Sequence, residues 1–167
     1  MAITKRPDDT TEALTRRELR SEKLKAIGHR DPVIVAPGTS IADAIKAMQK
    51  NGGEAVLVCD GPRLLGILTE RDVLLKVLAR GVDPDAEVDR FMTASPDSLT
   101  SDSTVEQALR MMERGGYRTI PLLDATGRPA GVLRQQDILA FVAEAFPQEI
   151  LNLPPRPHQV MDQAEGG

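Results

Sequence analysis

The sequence predicts a mixed α/β fold built from two copies of one structural unit. An offset of 64 residues aligns Pro32 with Pro96 and Gly52 with Gly116, and the same order of apolar segments, glycines and turns follows in both halves. The chain has 167 residues, of which 41% are hydrophobic and 28% charged. This composition is ordinary for a globular protein large enough to bury a core.

Each copy opens with an amphipathic helix. Ser40 with Asp43, and Ser103 with Glu106, are typical of helix N-terminal caps. A pair of glycines follows each helix, as expected where a helix ends. Apolar residues recur at positions i, i+3, i+4 and i+7 in both copies: Ile41, Ala44, Ile45 and Met48, then Val105, Ala108, Leu109 and Met112.

Two short apolar strands joined by a turn, and then a second helix, complete each copy. Turn residues such as Asp60-Gly61-Pro62 separate the strands. The predicted second helices are followed by Gly81 and Pro147, which are residue types that commonly end helices. The predicted strands cover 55–59 and 64–68, then 119–123 and 129–133, and the predicted second helices cover 70–80 and 135–145.

The flanking segments differ in composition from the repeats. Among residues 1–30, apolar side chains such as Leu24 and Ile27 form no stripe, which favours a surface helix over a partner contact. The proline-rich tail favours disorder, with polyproline II as the alternative. The predicted organisation is a charged, partly helical extension (1–30), a first repeat (31–80), a polar linker (81–95), a second repeat (96–146) and a Pro-rich tail (147–167).

Composition argues against several function classes. A net charge of −4 and an aromatic content of 2% do not suit a nucleic-acid binder. One cysteine, Cys59, and two histidines do not make a usual zinc site. Neither a membrane-spanning apolar run nor a signal-peptide pattern is present, so we expect a cytoplasmic protein with no membrane contact. The sequence contains no pattern of a catalytic nucleophile, so nothing in it indicates an enzyme.

Thr69 and Asp72 form the pattern most suggestive of a binding site. They stand three residues apart at the start of the predicted helix 70–80, where they would lie side by side at an end that attracts anions. This spacing alone favours a plain capping box. A carboxylate there can also accept hydrogen bonds from two adjacent hydroxyls, such as those of a ribose, and the two roles are compatible.

Three segments carry a resemblance to a known family: residues 66–74 (GILTERDVL), 116–124 (GYRTIPLLD) and 91–96 (FMTASP). In this order the chain resembles, over 31–143, a tandem pair of CBS (cystathionine β-synthase) domains, or Bateman module. The resemblance implies two β-α-β-β-α repeats packed sheet to sheet around a pseudo-two-fold axis. It also implies two clefts for adenosine-containing ligands, a homodimer that forms a four-repeat disc, and regulation of a partner protein without catalysis or a required cofactor.

The resemblance places the better nucleotide cleft around Asp72. Ile67 would contact the adenine face, and backbone groups near Tyr117 would read the adenine edge. Arg118 and Arg71 would meet phosphates, although both also fit solvated surface charges. The full set of implied residues is Ile67, Thr69, Arg71, Asp72, Thr93, Ser95, Tyr117, Arg118 and Thr119.

The equivalent cleft around Asp137 departs from the pattern. Arg134 stands where Ser or Thr is usual, and Glu54 stands where the first cleft has Arg118. A carboxylate facing a phosphate opposes binding unless Arg134 offsets it. We therefore expect unequal clefts, with the second weak, empty or differently selective. Its implied residues are Val33, Glu54, Ala55, Val132, Arg134 and Asp137.

Together these observations favour a regulatory module that binds a ligand of the AMP, ADP and ATP class. Two alternatives stay open. One is a structural or interaction protein whose clefts are unoccupied, which the altered second cleft and the charged N-terminal segment favour. The other is a sensor of S-adenosylmethionine or NAD(H).

Overall fold

The computed structural model describes residues 16–145. Its strands are β1 (Ile34–Val35), β2 (Ala55–Asp60), β3 (Arg63–Thr69), β4 (Thr93–Ala94), β5 (Leu99–Thr100), β6 (Thr119–Leu123) and β7 (Pro129–Arg134). Its α-helices are α1 (Arg16–Ser21), α2 (Ile41–Lys50), α3 (Glu70–Asp72), α4 (Val105–Gly115) and α5 (Gln135–Ala145).

The strands form two sheets that repeat one topology. In the first sheet the order is β1-β2-β3-β4, and in the second it is β5-β6-β7. The short leading strand runs parallel to its neighbour in both sheets, and the two longer strands form an antiparallel hairpin. Each repeat is therefore a β-α-β-β-α unit, which confirms the predicted fold class.

Helices α2 and α4 bury most of the predicted faces, but Leu109 of α4 is exposed, which is contrary to the prediction. Ile41, Ala44 and Met48 of α2 are buried, as are the corresponding residues of α4. Ser40 caps α2 by accepting from the Asp43 N–H, as predicted. The cap of α4 is Thr104 with Gln107, one residue later than predicted, because the Ser103 hydroxyl accepts from the Thr100 N–H at 3.1 Å instead.

The second helix of the first repeat is less regular than predicted. Residues 70–80 begin as α3, continue as a π-helix over Val73–Val77 and end as a 3-10 turn over Leu78–Arg80. Its counterpart α5 is α-helical throughout. We name residues 70–80 the three-part helix. Irregular helical hydrogen bonding of this kind often accompanies functional sites.

Each sheet is completed by a segment that leads into the other repeat. Strand β4, from the linker, pairs with β3, and Val88 is fully buried in the first core. Leu24 and Ile27 are buried in the second core, and Arg30 forms a bridge with Val132. This differs from the surface helix expected there, because Leu24 and Ile27 bracket a tight 3-10 turn instead of following a helical stripe.

The two sheets meet along an apolar cluster. Ala55, Leu57, Cys59 and Ile67 of the first sheet are buried together with Val132 of the second. Burial raises the pKa of the Cys59 thiol and keeps it in the core as a small apolar side chain. Within 16–145, no helix is long and apolar enough to cross a bilayer.

The two clefts between the repeats

The first cleft contains a cavity of about 350 Å³ bounded by both repeats. Seven residues implied from the sequence line it: Ile67, Thr69, Arg71, Asp72, Thr93, Tyr117 and Thr119. The segments that complete each sheet explain how these residues converge. Because β4 pairs with β3, Thr93 lies directly opposite Ile67, while Thr119 begins the strand of the other sheet. Seven more residues also line it: Leu75, Lys76, Pro96, Asp97, Gly115, Gly116 and Pro121.

Asp72 is held rigidly at the wall of this cavity. Its Oδ2 accepts hydrogen bonds from the Thr69 N–H at 2.9 Å and from the Thr69 hydroxyl at 2.8 Å. The Asp72 N–H donates in return to the Thr69 hydroxyl, which completes a capping box. The capping role is therefore present, and it leaves Oδ1 for other partners.

Lys76 supplies the partner of Oδ1. Its ammonium lies 2.7 Å from Oδ1 of Asp72 and donates to the Phe91 carbonyl at 3.0 Å. Burial by itself would raise the pKa of Asp72, but the hydrogen bonds from Lys76 and Thr69 outweigh it and hold that pKa below its usual value. Asp72 is therefore ionised and positioned as an acceptor. The spacing of four residues on a helix could have indicated Lys76 from the sequence.

Two of the implied residues lie outside this cavity. Ser95 adopts a left-handed backbone conformation with φ of 48°, and its N–H donates to the Leu65 carbonyl. Arg118 lines a neighbouring cavity of about 310 Å³ between the starts of the two second helices. Arg71 lines both cavities, as do Thr69 and Thr119, so the two spaces adjoin each other.

Tyr117 closes one side of the first cleft. Its ring packs so tightly over Gly115 that a Cβ there would overlap it. The Tyr117 hydroxyl is 3.5 Å from Oδ2 of Asp97, at the limit of a hydrogen bond. An aromatic side chain and a second carboxylate therefore stand at the rim, where side-chain movement would widen or narrow the cleft.

The second cleft contains a larger cavity of about 530 Å³. Of the residues implied from the sequence, Val33, Glu54, Ala55, Val132 and Arg134 line it, and Asp137 does not. Arg30, Asp31 and Lys50 also line it. Arg30 arrives there on the N-terminal segment that the sequence suggested was a surface extension, so its contribution was missed.

Arg134 explains the absence of Asp137 from the lining. The Arg134 Nε donates to Oδ2 of Asp137 at 3.1 Å, and its Nη2 donates to Oδ1. The side chains of Arg134 and Asp137 are only 12% and 13% exposed. The hydrogen bond to Asp137 raises the pKa of Arg134 against the opposing effect of burial, so the guanidinium stays charged.

The charges differ from the expectation for the second cleft. Arg134 Nη1 lies 3.8 Å from Glu54, so the carboxylate expected to repel a phosphate has a cation beside it. Three cations and two carboxylates line the second cavity, whereas the first has two of each. The like-charge argument therefore does not distinguish the clefts. The two carboxylate side chains are almost equally exposed, 14% for Asp72 and 13% for Asp137. What distinguishes them is that Asp72 lines its cavity, whereas in the second cleft Arg134 lines the cavity in place of Asp137.

The chemistry available in the first cleft is recognition of a polar ligand with an apolar part. It offers an ionised acceptor, an apolar wall at Ile67, and cations at Arg71 and Lys76. In the described part of the chain, no cluster of three or more His, Cys, Asp or Glu side chains could hold a metal ion.

Two pseudo-symmetric repeats with a cleft on each side of their shared interface define a class of paired-repeat ligand-binding module. The chain belongs to the CBS domain family, which matches residues 24–79 and 87–144. Both matches begin at the segments that complete the sheets. Residue 24 starts the turn buried in the second core, and residue 87 precedes Val88, which is buried in the first core.

Relatives with curated descriptions are similar over most of this chain. The meiotically up-regulated gene 70 protein of Schizosaccharomyces pombe is 35% identical over 136 residues, which is 81% of this chain and 18% of that protein. A Methanopyrus kandleri protein is 30% identical over 123 residues, covering 72% of this chain and 63% of its own length. The chain therefore spans less than two thirds of these relatives.

Solved structures share the fold. A CBS-domain-containing protein from Agrobacterium tumefaciens matches with a TM-score of 0.62 and 32% identity, covering 67% of this chain and 90% of that one. CBSX2, solved in complex with AMP, matches with a TM-score of 0.61 and 23% identity over 73% of this chain and 96% of its own. A CBS domain pair solved with 5′-methylthioadenosine and S-adenosylmethionine matches with a TM-score of 0.67 and 22% identity, covering 74% of this chain and 97% of that one.

Proposed function

We propose that this chain is a non-catalytic regulatory module that binds an adenine nucleotide in the first cleft and thereby alters the activity of a partner protein. The observation that carries the proposal is Asp72. Its carboxylate is ionised, fixed through Oδ2 by Thr69, and lines a cavity formed by both repeats. Those are the properties needed to accept hydrogen bonds from a ribose diol.

The rest of the cleft suits an adenine ring. Ile67 is 6% exposed and presents an apolar surface to the cavity. Thr93, beside Ile67 in the same sheet, and Tyr117 of the other repeat line the same space. Support by analogy comes from the two ligand-bound structures, which are CBS domain pairs holding AMP in one case and 5′-methylthioadenosine with S-adenosylmethionine in the other.

The cations of the cleft favour a phosphorylated ligand over S-adenosylmethionine. Arg71 lines the first cavity and the adjoining one, where Arg118 also lies. A phosphate chain that left the ribose toward this second space would meet both guanidinium groups, which bind phosphate through paired hydrogen bonds. The carboxylates of Glu54 and Glu70 line the same space and would oppose part of this attraction. The sulfonium of S-adenosylmethionine would gain nothing from these cations.

Regulation follows if the ligand prefers one of two conformations of the module. A ligand can shift such an equilibrium only by its difference in affinity for the two states. The ligand would contact residues from both repeats, so repeats that move relative to one another would bind it unequally. We propose that this movement is the signal passed to the partner, which acts in the cytoplasm with the module.

A thermal-shift panel with AMP, ADP, ATP, S-adenosylmethionine and NADH tests the ligand assignment. We expect one of the adenine nucleotides to stabilise the protein by about 2.7 kcal/mol at a hundredfold excess over its dissociation constant. Asp72→Ala should abolish that stabilisation. Asp124→Ala is the matched control, because Asp124 is an exposed carboxylate in the β6–β7 turn and should leave binding unchanged.

Other outcomes of the panel would redirect the proposal. Stabilisation by S-adenosylmethionine or NADH alone would replace the nucleotide class and keep the cleft. No stabilisation by any ligand would favour a structural or interaction protein with unoccupied clefts.

We also propose that the module is a homodimer forming a four-repeat disc. The three-part helix exposes Leu74, Leu75 and Leu78 by 58%, 57% and 64%, and Leu139 of α5 is 65% exposed. A contiguous exposed apolar patch marks a protein contact surface, and the three leucines of the three-part helix follow one another closely along the chain. Light scattering should give twice the chain mass for the wild type, and Leu75→Glu should give a monomer that remains folded. A wild-type monomer at high concentration would refute this assignment.

A further inference from the structure

In both repeats, the aspartate at the start of the second helix accepts a hydrogen bond from the backbone N–H three residues earlier. The Thr69 N–H donates to Oδ2 of Asp72 at 2.9 Å, and the Arg134 N–H donates to Oδ2 of Asp137 at 2.9 Å. Both carboxylates therefore occupy the same position relative to their own helix. The difference between them lies in the side chain of the capping residue.

In the second cleft this side chain occupies the carboxylate completely. The Arg134 guanidinium contacts both oxygens of Asp137, through Nε and Nη2. Two parallel N–H groups spaced by one carbon match a carboxylate as the two adjacent hydroxyls of a ribose would. Arg134 lines the cavity and Asp137 does not, so the guanidinium stands between the carboxylate and any ligand.

A ribose does not readily displace this group. The hydrogen bonds from a guanidinium are charge-assisted and partly buried, whereas those from a ribose hydroxyl come from a neutral donor. Displacement would also cost a mostly buried cation its bidentate partner and leave it only Glu54, 3.8 Å from Nη1, which is costly. In the first cleft the Thr69 hydroxyl reaches only Oδ2 of Asp72, and Lys76 contacts Oδ1 at a single point.

We propose that Arg134 determines the number of ligands bound, because its guanidinium occupies the ribose position of the second cleft. The wild-type chain then binds one adenosine-type ligand. Shortening this side chain exposes Asp137 and creates a second site. The inference rests on the proposed function for the identity of the ligand, and it concerns a cleft that the proposed function does not use.

Titration calorimetry with adenosine and AMP on the folded full chain tests the inference. Arg134→Thr restores the Thr-x-x-Asp pattern of the first cleft, and a second variant adds Glu54→Gln to remove the carboxylate that loses Arg134 as its neighbour. We expect one ligand per chain for the wild type and two for these variants. Arg128→Thr is the matched control, since it removes an exposed arginine from the same hairpin and should leave one site.

A background of Asp72→Ala separates the two clefts. In that background Arg134→Thr should bind one ligand, and adding Asp137→Ala should remove it. The reciprocal change, Thr69→Arg, should weaken binding to the first cleft by at least about tenfold, because it installs the same guanidinium there. Circular dichroism and melting curves establish that each variant is folded.

The possible results distinguish a failure of this inference from a failure of the proposed function. A wild type that binds nothing while Arg134→Thr binds through Asp137 would refute the proposed site at Asp72 and uphold the role of Arg134. Two ligands per wild-type chain, or no added site in either folded Arg134 variant, would overturn the inference. If both Arg134 variants fail to fold, a folded Thr69→Arg protein with wild-type affinity would overturn it, and the expected loss would uphold it.

Discussion

The second helices of the two repeats begin alike and then differ in where they place a cation. In the first repeat the cation is Lys76, four residues after Asp72 on the three-part helix. In the second it is Arg134, three residues before Asp137, and the position corresponding to Lys76 is Phe141 on a regular α-helix. Both carboxylates are paired, so an ion pair alone does not distinguish a binding site from a closed one. The side from which the cation approaches does.

The largest expected effect concerns the segments that complete each sheet. Leu24 is 1% exposed in the second core, the counterpart of Val88 in the first. Leu24→Ala should lower the free energy of unfolding by about 2–5 kcal/mol, as for other buried leucines. Lys25→Ala removes an exposed ion pair with Asp102 and should change it by less than about 1 kcal/mol. Urea denaturation gives both values, and equal small losses would show that this segment is not part of the core.

The two carboxylates should differ in their contribution to stability. Asp137→Ala removes the bidentate partner of the Arg134 guanidinium, which is 12% exposed and keeps only the longer contact with Glu54, and should cost about 2–4 kcal/mol. Asp72→Ala removes a helix cap, while Lys76, 37% exposed, can turn to water, so the cost should be about 1–2 kcal/mol. Thermal and urea unfolding of both variants measures the difference. A reversed order would contradict the closed state of the second cleft.

The smallest expected effect is a change in pH dependence. Hydrogen bonds hold the pKa of Asp72 below its usual value despite burial, so the affinity for adenosine, which carries no phosphate to titrate, should fall only below the usual pH range of an aspartate. The carboxylate is lost as the pH falls through its lowered pKa. Lys76→Met should raise that pKa and move the decline in affinity to higher pH.

Lys46→Met provides the control for this experiment, because Lys46 pairs with an exposed aspartate on α2. It should leave the affinity profile unchanged. Identical profiles for wild type and Lys76→Met would show that Lys76 does not influence the carboxylate in solution.

Much of the fold could be predicted because local patterns and the global fold agree in the repeats. The apolar spacing of Ile41, Ala44 and Met48 belongs to one helix face, and the structure buries that face. Leu24 and Ile27 could not be placed in this way. They are buried in a 3-10 turn whose partners lie in the other half of the sequence, and periodicity carries no information about such distant contacts.

The candidate site shows the same division. Thr69 and Asp72 were assigned to a ligand site by the family resemblance, because their spacing alone favours a capping box. Lys76 could have been found one helical turn further along the chain. Arg30 could not, because it reaches the second cavity through its pairing with Val132. The substitution at Arg134 was visible in the sequence, but whether it met Glu54 or covered Asp137 depended on side-chain geometry.

The bridge between Arg30 and Val132 has a consequence for the order in which the chain acquires its structure. These residues are separated by roughly a hundred positions, and contacts between distant residues slow folding. During synthesis the segment holding Leu24 and Ile27 emerges well before β6 and β7 exist to bury it. This segment stays exposed until the second repeat has been synthesised. During that time it can bind a chaperone or form misfolded contacts.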